Sequence, residues 1–98
     1  MEIHTEKKEN TVTISLVGDF DFKARTQFRN TFVNISPESS FILNFAGVEH
    51  IDSSGLGLLL MLREHAGVTE ANITIVNCNA VVRKALQLFE FDKLFKIR

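Results

Sequence analysis

The sequence has a single cysteine, no strongly charged segment and no long hydrophobic segment, and each absence excludes a class of protein. With Cys78 alone, the 98-residue chain has no internal disulfide and no Cys-x-x-Cys pair, which is consistent with a reducing cytosol. Its longest apolar run, 58–62, is far shorter than the ~20 residues that span a bilayer. The N-terminal residues lack the apolar centre of a signal peptide. We therefore expect a cytoplasmic protein with no membrane insertion.

Charged side chains are balanced, with 11 basic and 12 acidic residues and a formal charge of −1. No segment concentrates Lys and Arg as binding to a phosphate backbone requires, so we expect no nucleic-acid partner. The histidines, His4, His50 and His65, are isolated from one another, and the Arg63–Glu64 pair beside His65 is not a set of metal ligands, which predicts no metal site. We expect all three to face solvent.

Motifs of catalysis and cofactor binding are also missing. A serine hydrolase of the Gly-x-Ser-x-Gly type needs a glycine two positions before its serine, but Ile51 and Asp52 stand there. Leu60 occupies the position of the third glycine of a dinucleotide loop, and the P-loop lysine is absent. Since no nucleophile, base and oxyanion donors converge, we expect a binding module with no cofactor, and not an enzyme.

Hydrophobic periodicity predicts one α/β domain over residues 1–98. Alternation over 11–17 is typical of a half-buried strand, and the continuous apolar run 41–45 predicts a central strand covered on both faces. The predicted strands are 3–7, 11–17, 41–45, 73–76 and 94–97, and the predicted helices are 23–34, 54–65 and 80–89. The expected fold is a mixed β-sheet of four to five strands with about three α-helices packed on it.

The last two predicted helices have different apolar patterns. Leucines go most of the way round 54–65, so this helix should be covered on more than one side. The helix 80–89, opened by Asn79 as its cap, instead has one broad apolar face. That face consists of Val81, Val82, Ala85, Leu88 and Phe89.

Asp52, Ser53 and Ser54 stand together before the leucine-rich helix, and each is able to cap it. A helix start has unpaired N–H groups and the positive end of the helix dipole. A phosphoryl group on a serine here would add about 1.5 to 2 negative charges, which the helix end tolerates. A partner that packs against the unmodified serine would be repelled by the phosphoryl group once the serine is phosphorylated. Spacing alone leaves a simple capping role open for Ser53.

The segment 51–57, Ile-Asp-Ser-Ser-Gly-Leu-Gly followed by leucines, resembles the signature of the STAS domain family, specifically the bacterial anti-sigma factor antagonists. Weaker similarities at 18–21, 41–45, 82–86 and 94–97 extend the resemblance over essentially the whole chain. Ala80 departs from a common proline, and 90–92 departs from a glycine-bearing turn. Neither departure touches the signature segment.

This resemblance implies that Ser53 is phosphorylated by a serine protein kinase of the GHKL type that is also an anti-sigma factor. A PP2C-type phosphatase would reverse the modification. The unphosphorylated protein would bind the kinase and free its sigma factor. Asp21 would lie close to the phosphorylated serine. Independently of the resemblance, the sequence leaves Phe20 and Phe22, which flank Asp21, either in the core or on the partner surface. The implied partner-binding residues are Asp21, Asp52, Ser54, Gly55 and Leu56.

A second function within the same family is a STAS subunit docked constitutively on another complex, such as a lipid-transport ABC ATPase, without phosphorylation. Loss of the serine after the aspartate would mark such a subunit. Because Ser53 is present, the sequence favours the phosphorylation switch.

Overall fold

Five strands and three α-helices form the chain, and the computed structural model describes all residues from 1 to 98. The elements are β1 (Glu2–Lys8), β2 (Thr11–Val17), α1 (Arg25–Phe32), β3 (Ser40–Gly47), α2 (Ser53–His65), β4 (Asn72–Val76), α3 (Ala80–Leu88) and β5 (Lys96–Ile97). Short 3₁₀ turns occupy 22–24, 68–70 and 91–93. Every predicted element is therefore present. None of the helices combines the length and apolar character needed to cross a bilayer.

The strands lie in the sheet in the order in which they occur in the chain. β1 and β2 form an antiparallel hairpin, and β2, β3, β4 and β5 are parallel to one another. The register places Ile14 opposite Leu43 and Leu43 opposite Ile75, so the buried side chains of three strands form one layer. The mixed sheet and the central position of β3 were both predicted correctly.

The prediction that β3 is covered on both faces is wrong. Phe41 and Leu43 belong to a single core of 22 residues that includes side chains from all three α-helices. Ile42, on the other face, is only half buried and lies between Thr13 and Thr74 in register. The continuous apolar run thus reflects one isoleucine on the face of the sheet that the helices do not cover, where Thr13 and Thr74 are its neighbours.

Phe20 and Phe22, whose places the sequence left open, have opposite environments. Phe20 is 1% exposed, with its ring packed edge-on against Phe28 and Phe45 at centroid distances of 5.1 and 5.6 Å. Phe22 is 71% exposed. The two phenylalanines that flank Asp21 are therefore divided between the core and the surface.

His65, at the end of α2, does not face solvent as expected. It is half buried, its Nε2 atom lies 2.8 Å from the carbonyl oxygen of Ile35, and its ring packs against Phe32. His4 and His50 are exposed, as predicted. A histidine in the last turn of an apolar helix thus joins the loop after α1 to the core.

The broad apolar face predicted for α3 is only partly in the core. Val82 is fully buried, but Val81, Leu88 and Phe89 are 61%, 74% and 58% exposed. The close backbone contacts of α3 are with the 3₁₀ turn at 91–93, whereas α2 packs against α1. Because no element of the chain covers the outer part of the α3 face, its apolar residues remain on the surface.

Candidate functional site

Two loops meet at the N-terminal end of α2. A single parallel bridge pairs Phe20 with Ile51, and the Gly18 N–H donates to the carbonyl oxygen of Gly47 at 2.9 Å. Gly18 has a φ of +115°, a conformation that favours glycine, so this residue shapes the first loop. Between the loops lies an open cavity of about 280 Å³, lined by Asp19, Phe20, Asp21, His50, Ile51 and Asp52. Asp21 and Asp52, predicted to belong to one site, therefore share one cavity.

Asp52 is the cap of α2. Its backbone is extended, with a φ of −109°, and its Oδ1 atom accepts a hydrogen bond from the Gly55 N–H at 2.9 Å. The Leu56 N–H then donates to the Asp52 carbonyl oxygen in the first regular helical hydrogen bond. The capping role that the sequence left open for Ser53 therefore belongs to Asp52.

Ser53 and Ser54 occupy the first positions of α2 and are exposed. Neither hydroxyl makes a hydrogen bond within the chain, and the two backbone N–H groups also lack partners in it. These N–H groups form the positive end of the helix dipole, which favours a negative group. Ser53 thus combines an unused hydroxyl with a local field that accepts added negative charge.

Asp21 has a structural role as well. Its Oδ1 atom accepts a hydrogen bond from the Lys23 N–H at 3.0 Å and caps the 3₁₀ turn that leads into α1. Both acidic residues proposed for partner recognition are therefore caps of helical segments. A substitution at Asp21 or Asp52 changes local stability together with surface charge, and the two effects have to be measured separately.

Gly55 and Leu56 do not belong to the surface, contrary to the expectation from the resemblance. Leu56 is 8% exposed and is part of the core. Gly55 is buried, and a Cβ atom there would lie 2.1 Å from the carbonyl oxygen of Phe20 and 2.7 Å from a side-chain carbon of Ile51. Both residues instead hold α2 tightly against the two loops.

A second cavity, of about 380 Å³, lies on the other side of Ser54. Its lining residues are Phe22, Arg25, Ser54, Gly57, Leu58 and Met61. Of these residues, the sequence assigned Ser54 to the site and left Phe22 open between the core and the partner surface. It did not assign the other four, and it also missed Asp19 and His50 in the first cavity. The one feature of the sequence that pointed to this second cavity was the position of Phe22 next to Asp21. The rest depends on how the two loops pack, which periodicity does not reveal.

Other chemically active side chains are not assembled into a site. Cys78 is half buried, and burial raises the pKa of its thiol although Arg83 partly opposes the shift. A raised pKa lowers the thiolate fraction at neutral pH, which agrees with a structural role. No three His, Cys, Asp or Glu side chains are grouped as metal ligands.

Comparison with known proteins gives consistent results at the levels of family and fold. The family model described as "Mlab, STAS domain" matches residues 3–97. A STAS-domain containing protein of Pseudomonas aeruginosa is 42% identical over 88 residues, which are 88% of this chain and 86% of the relative.

Solved structures of anti-sigma factor antagonists share the whole architecture. SpoIIAA in its unphosphorylated form superposes with a TM-score of 0.80 at 25% identity, over 99% of this chain and 88% of that protein. A putative anti-sigma factor antagonist from Thermotoga maritima has a TM-score of 0.83 at 20% identity, over 97% and 84%. The chain therefore belongs to the STAS domain family and has the fold of its anti-sigma factor antagonists.

Proposed function

We propose that the chain is a phosphorylation-switched anti-sigma factor antagonist. Unphosphorylated, it binds a GHKL-type serine kinase that is also an anti-sigma factor; phosphorylation of Ser53 releases the kinase, and a PP2C-type phosphatase reverses the change. In this function the chain is a cytoplasmic substrate and ligand of its partners and not an enzyme. The observation that carries the proposal is the division of roles at the start of α2, where Asp52 caps the helix and leaves Ser53 exposed.

The domain itself tolerates a phosphoryl group on Ser53. The group adds about 1.5 to 2 negative charges at neutral pH. The free N–H groups of Ser53 and Ser54 and the dipole of the 13-residue α2 favour this charge and oppose the repulsion from the nearby carboxyl groups of Asp19, Asp21 and Asp52. The modification therefore changes the surface without unfolding the protein.

A partner bound to the unmodified surface does not tolerate the same group. The cavity beside Ser53 already contains the carboxyl groups of Asp19, Asp21 and Asp52, so a partner seated there meets a strongly negative surface after phosphorylation. Desolvated charge without a counter-charge costs several kcal/mol, and each 1.4 kcal/mol weakens binding about tenfold. Binding falls by two or more orders of magnitude, which is sufficient for a switch.

The comparison proteins support the proposal through one pair of structures. SpoIIAA, whose fold this chain shares, has been solved in an unphosphorylated and in a phosphorylated form. The fold is recognisable in both, with TM-scores of 0.80 and 0.75 against this chain. A STAS domain of this architecture therefore keeps its fold when phosphorylated.

The test is the intact mass of the protein purified from its native cells, followed by sequencing of any modified peptide. We expect one phosphoryl group on Ser53. Ser53→Ala should retain the kinase and resist release, whereas Ser53→Asp should lose it. Glu64→Ala is the control, because Glu64 is exposed near the other end of α2, and it should bind the kinase and be phosphorylated like wild type. Tight kinase binding by Ser53→Asp contradicts the proposal.

A second candidate function needs no phosphorylation, and the observation that favours it is the match to the family model described as "Mlab, STAS domain". In this alternative the chain docks permanently on a larger complex, such as a lipid-transport ABC ATPase, through the same end of α2. It predicts a co-purifying ATPase and no phosphate on Ser53. The same mass measurement therefore separates the two functions.

A further inference from the structure

The two glycines of the signature segment have different structural roles. Gly55 is required by the fold, because a Cβ atom there would collide with the Phe20 carbonyl oxygen. Gly57 is not required: no heavy atom lies within 4 Å of the position of its missing Cβ atom, and its backbone is ordinary α-helix. Glycine inside a helix lowers stability relative to alanine. Nothing within the chain explains this loss of stability at Gly57.

Gly57 opens onto the 380 Å³ cavity, which is a groove between the start of α1 and α2. Phe22, at 71% exposure, and Arg25 form its far side, and Met61 continues it along α2. Ser54 lies at its near end, directly beside Ser53. The groove is therefore continuous with the surface that carries the proposed switch.

We infer that Gly57 is the point of closest approach for a helix of the kinase partner, which lies in this groove; the inference rests on the proposed function. Packed helices are usually about 8–10 Å apart, and a bare backbone at the crossing point permits the shorter end of this range or less. The exposed ring of Phe22 packs against the same partner helix, where an aromatic side chain contributes strongly to binding.

The charges along the surface define the partner further. Arg25 is exposed and takes part in no ion pair of the chain, so it selects a partner helix with a carboxylate opposite it. The first cavity, with Asp19, Asp21 and Asp52, selects a cationic side chain. The partner surface therefore has an acidic end that faces Arg25 and a basic end that faces the first cavity, with Ser53 between them. This arrangement fixes the orientation of the partner on the domain.

The test compares wild type with Gly57→Ala in native cells and in purified form. The alanine methyl group meets no atom of the chain, so the melting temperature should rise by about 2 to 8 °C. The same methyl group separates the two helices, so Ser53 phosphorylation should fall about tenfold or more. Arg25→Glu should lower phosphorylation as well, while its melting temperature stays within about 2 °C of wild type.

Glu64→Ala is the matched control, because Glu64 is exposed and lies about two turns further along the same face of α2. It should be phosphorylated like wild type. Equal phosphorylation of wild type and Gly57→Ala, with the melting temperature raised, overturns the inference and leaves the proposed function intact. An equal loss in Glu64→Ala also overturns it, because the effect would not be specific to Gly57. Absence of phosphate from wild type contradicts the proposed function, and the inference is then rejected with it.

Discussion

Two helices of the molecule, α2 and α3, begin in the same way and end up in different environments. Asp52 caps α2 by accepting from the Gly55 N–H at 2.9 Å, and Asn79 caps α3 by accepting from the Val82 N–H at 2.8 Å. The large apolar residues of α2 are mostly in the core, whereas three of the five residues of the predicted apolar face of α3 are exposed. The apolar content of a helix therefore predicts its burial only when a second element is available to cover it.

The reason lies in the neighbours of each helix. α2 packs on the sheet and against α1, so its apolar sides meet two partners. α3 meets the core through Val82 and Leu86, and its closest backbone neighbour is the 3₁₀ turn that follows it. Four predictions test this comparison.

The largest expected difference is between matched leucines of the two helices. Leu59 of α2 is 0% exposed and Leu88 of α3 is 74% exposed. Leu59→Ala should lower the free energy of unfolding by about 2–5 kcal/mol, through lost burial and a residual cavity. Leu88→Ala should change it by less than about 0.5 kcal/mol. Urea denaturation measures both, and equal losses would contradict the described packing of α3.

The second prediction concerns Gly55, the buried glycine of α2. In Gly55→Ala the new methyl group collides with the backbone oxygen of Phe20, and backbone is less able to move aside than a flexible side chain. We expect a loss of about 1–3 kcal/mol or more in the free energy of unfolding. Stability equal to wild type in a thermal melt would show that the two loops are not held against α2 as described.

The sequence predicted the elements and the sheet, because periodicity and capping residues are local properties. It also predicted that α2 needs cover on more than one side, since its leucines leave only a narrow polar side. The segment around Ser53 was identified by resemblance, and spacing alone did not distinguish Ser53 from Ser54. The hydrogen bond from the Gly55 N–H to the Asp52 carboxylate shows that Asp52, and not Ser53, caps the helix.

The errors share one physical cause, which is contact between residues distant in sequence. Gly55 and Gly57 look equivalent in the sequence, but only Gly55 meets the Phe20 loop, which precedes it by about 35 residues. Likewise, the position of α3 determines whether Val81 or Val82 is buried. The local sequence pattern identifies the apolar face of a helix, but it does not show which part of that face another element covers.

The third prediction compares the two caps. Asp52→Ala removes one capping hydrogen bond and should lower the free energy of unfolding by about 0.5–2 kcal/mol. Asn79→Ala also removes bonds from its side-chain amide to the carbonyl oxygens of Val48 and Glu49, at 3.4 and 3.1 Å. It should therefore be the more destabilising of the two, by up to about 1 kcal/mol. Chemical denaturation of both variants tests the order, and a larger loss for Asp52→Ala would contradict it.

The smallest expected effect is on the exposed face of α3. Val81→Gln combined with Phe89→Gln removes apolar surface that the chain itself leaves uncovered, so the free energy of unfolding should change by less than about 1 kcal/mol. Ser53 phosphorylation in native cells should also match wild type, because the proposed partner surface lies on α2, the start of α1 and the loops beside them. Leu59→Ala is the reference for a loss of stability, and Ser53→Ala is the reference for a loss of phosphorylation. A marked fall in phosphorylation would instead show that the partner extends across both helices, and that the exposed face of α3 belongs to the same interface.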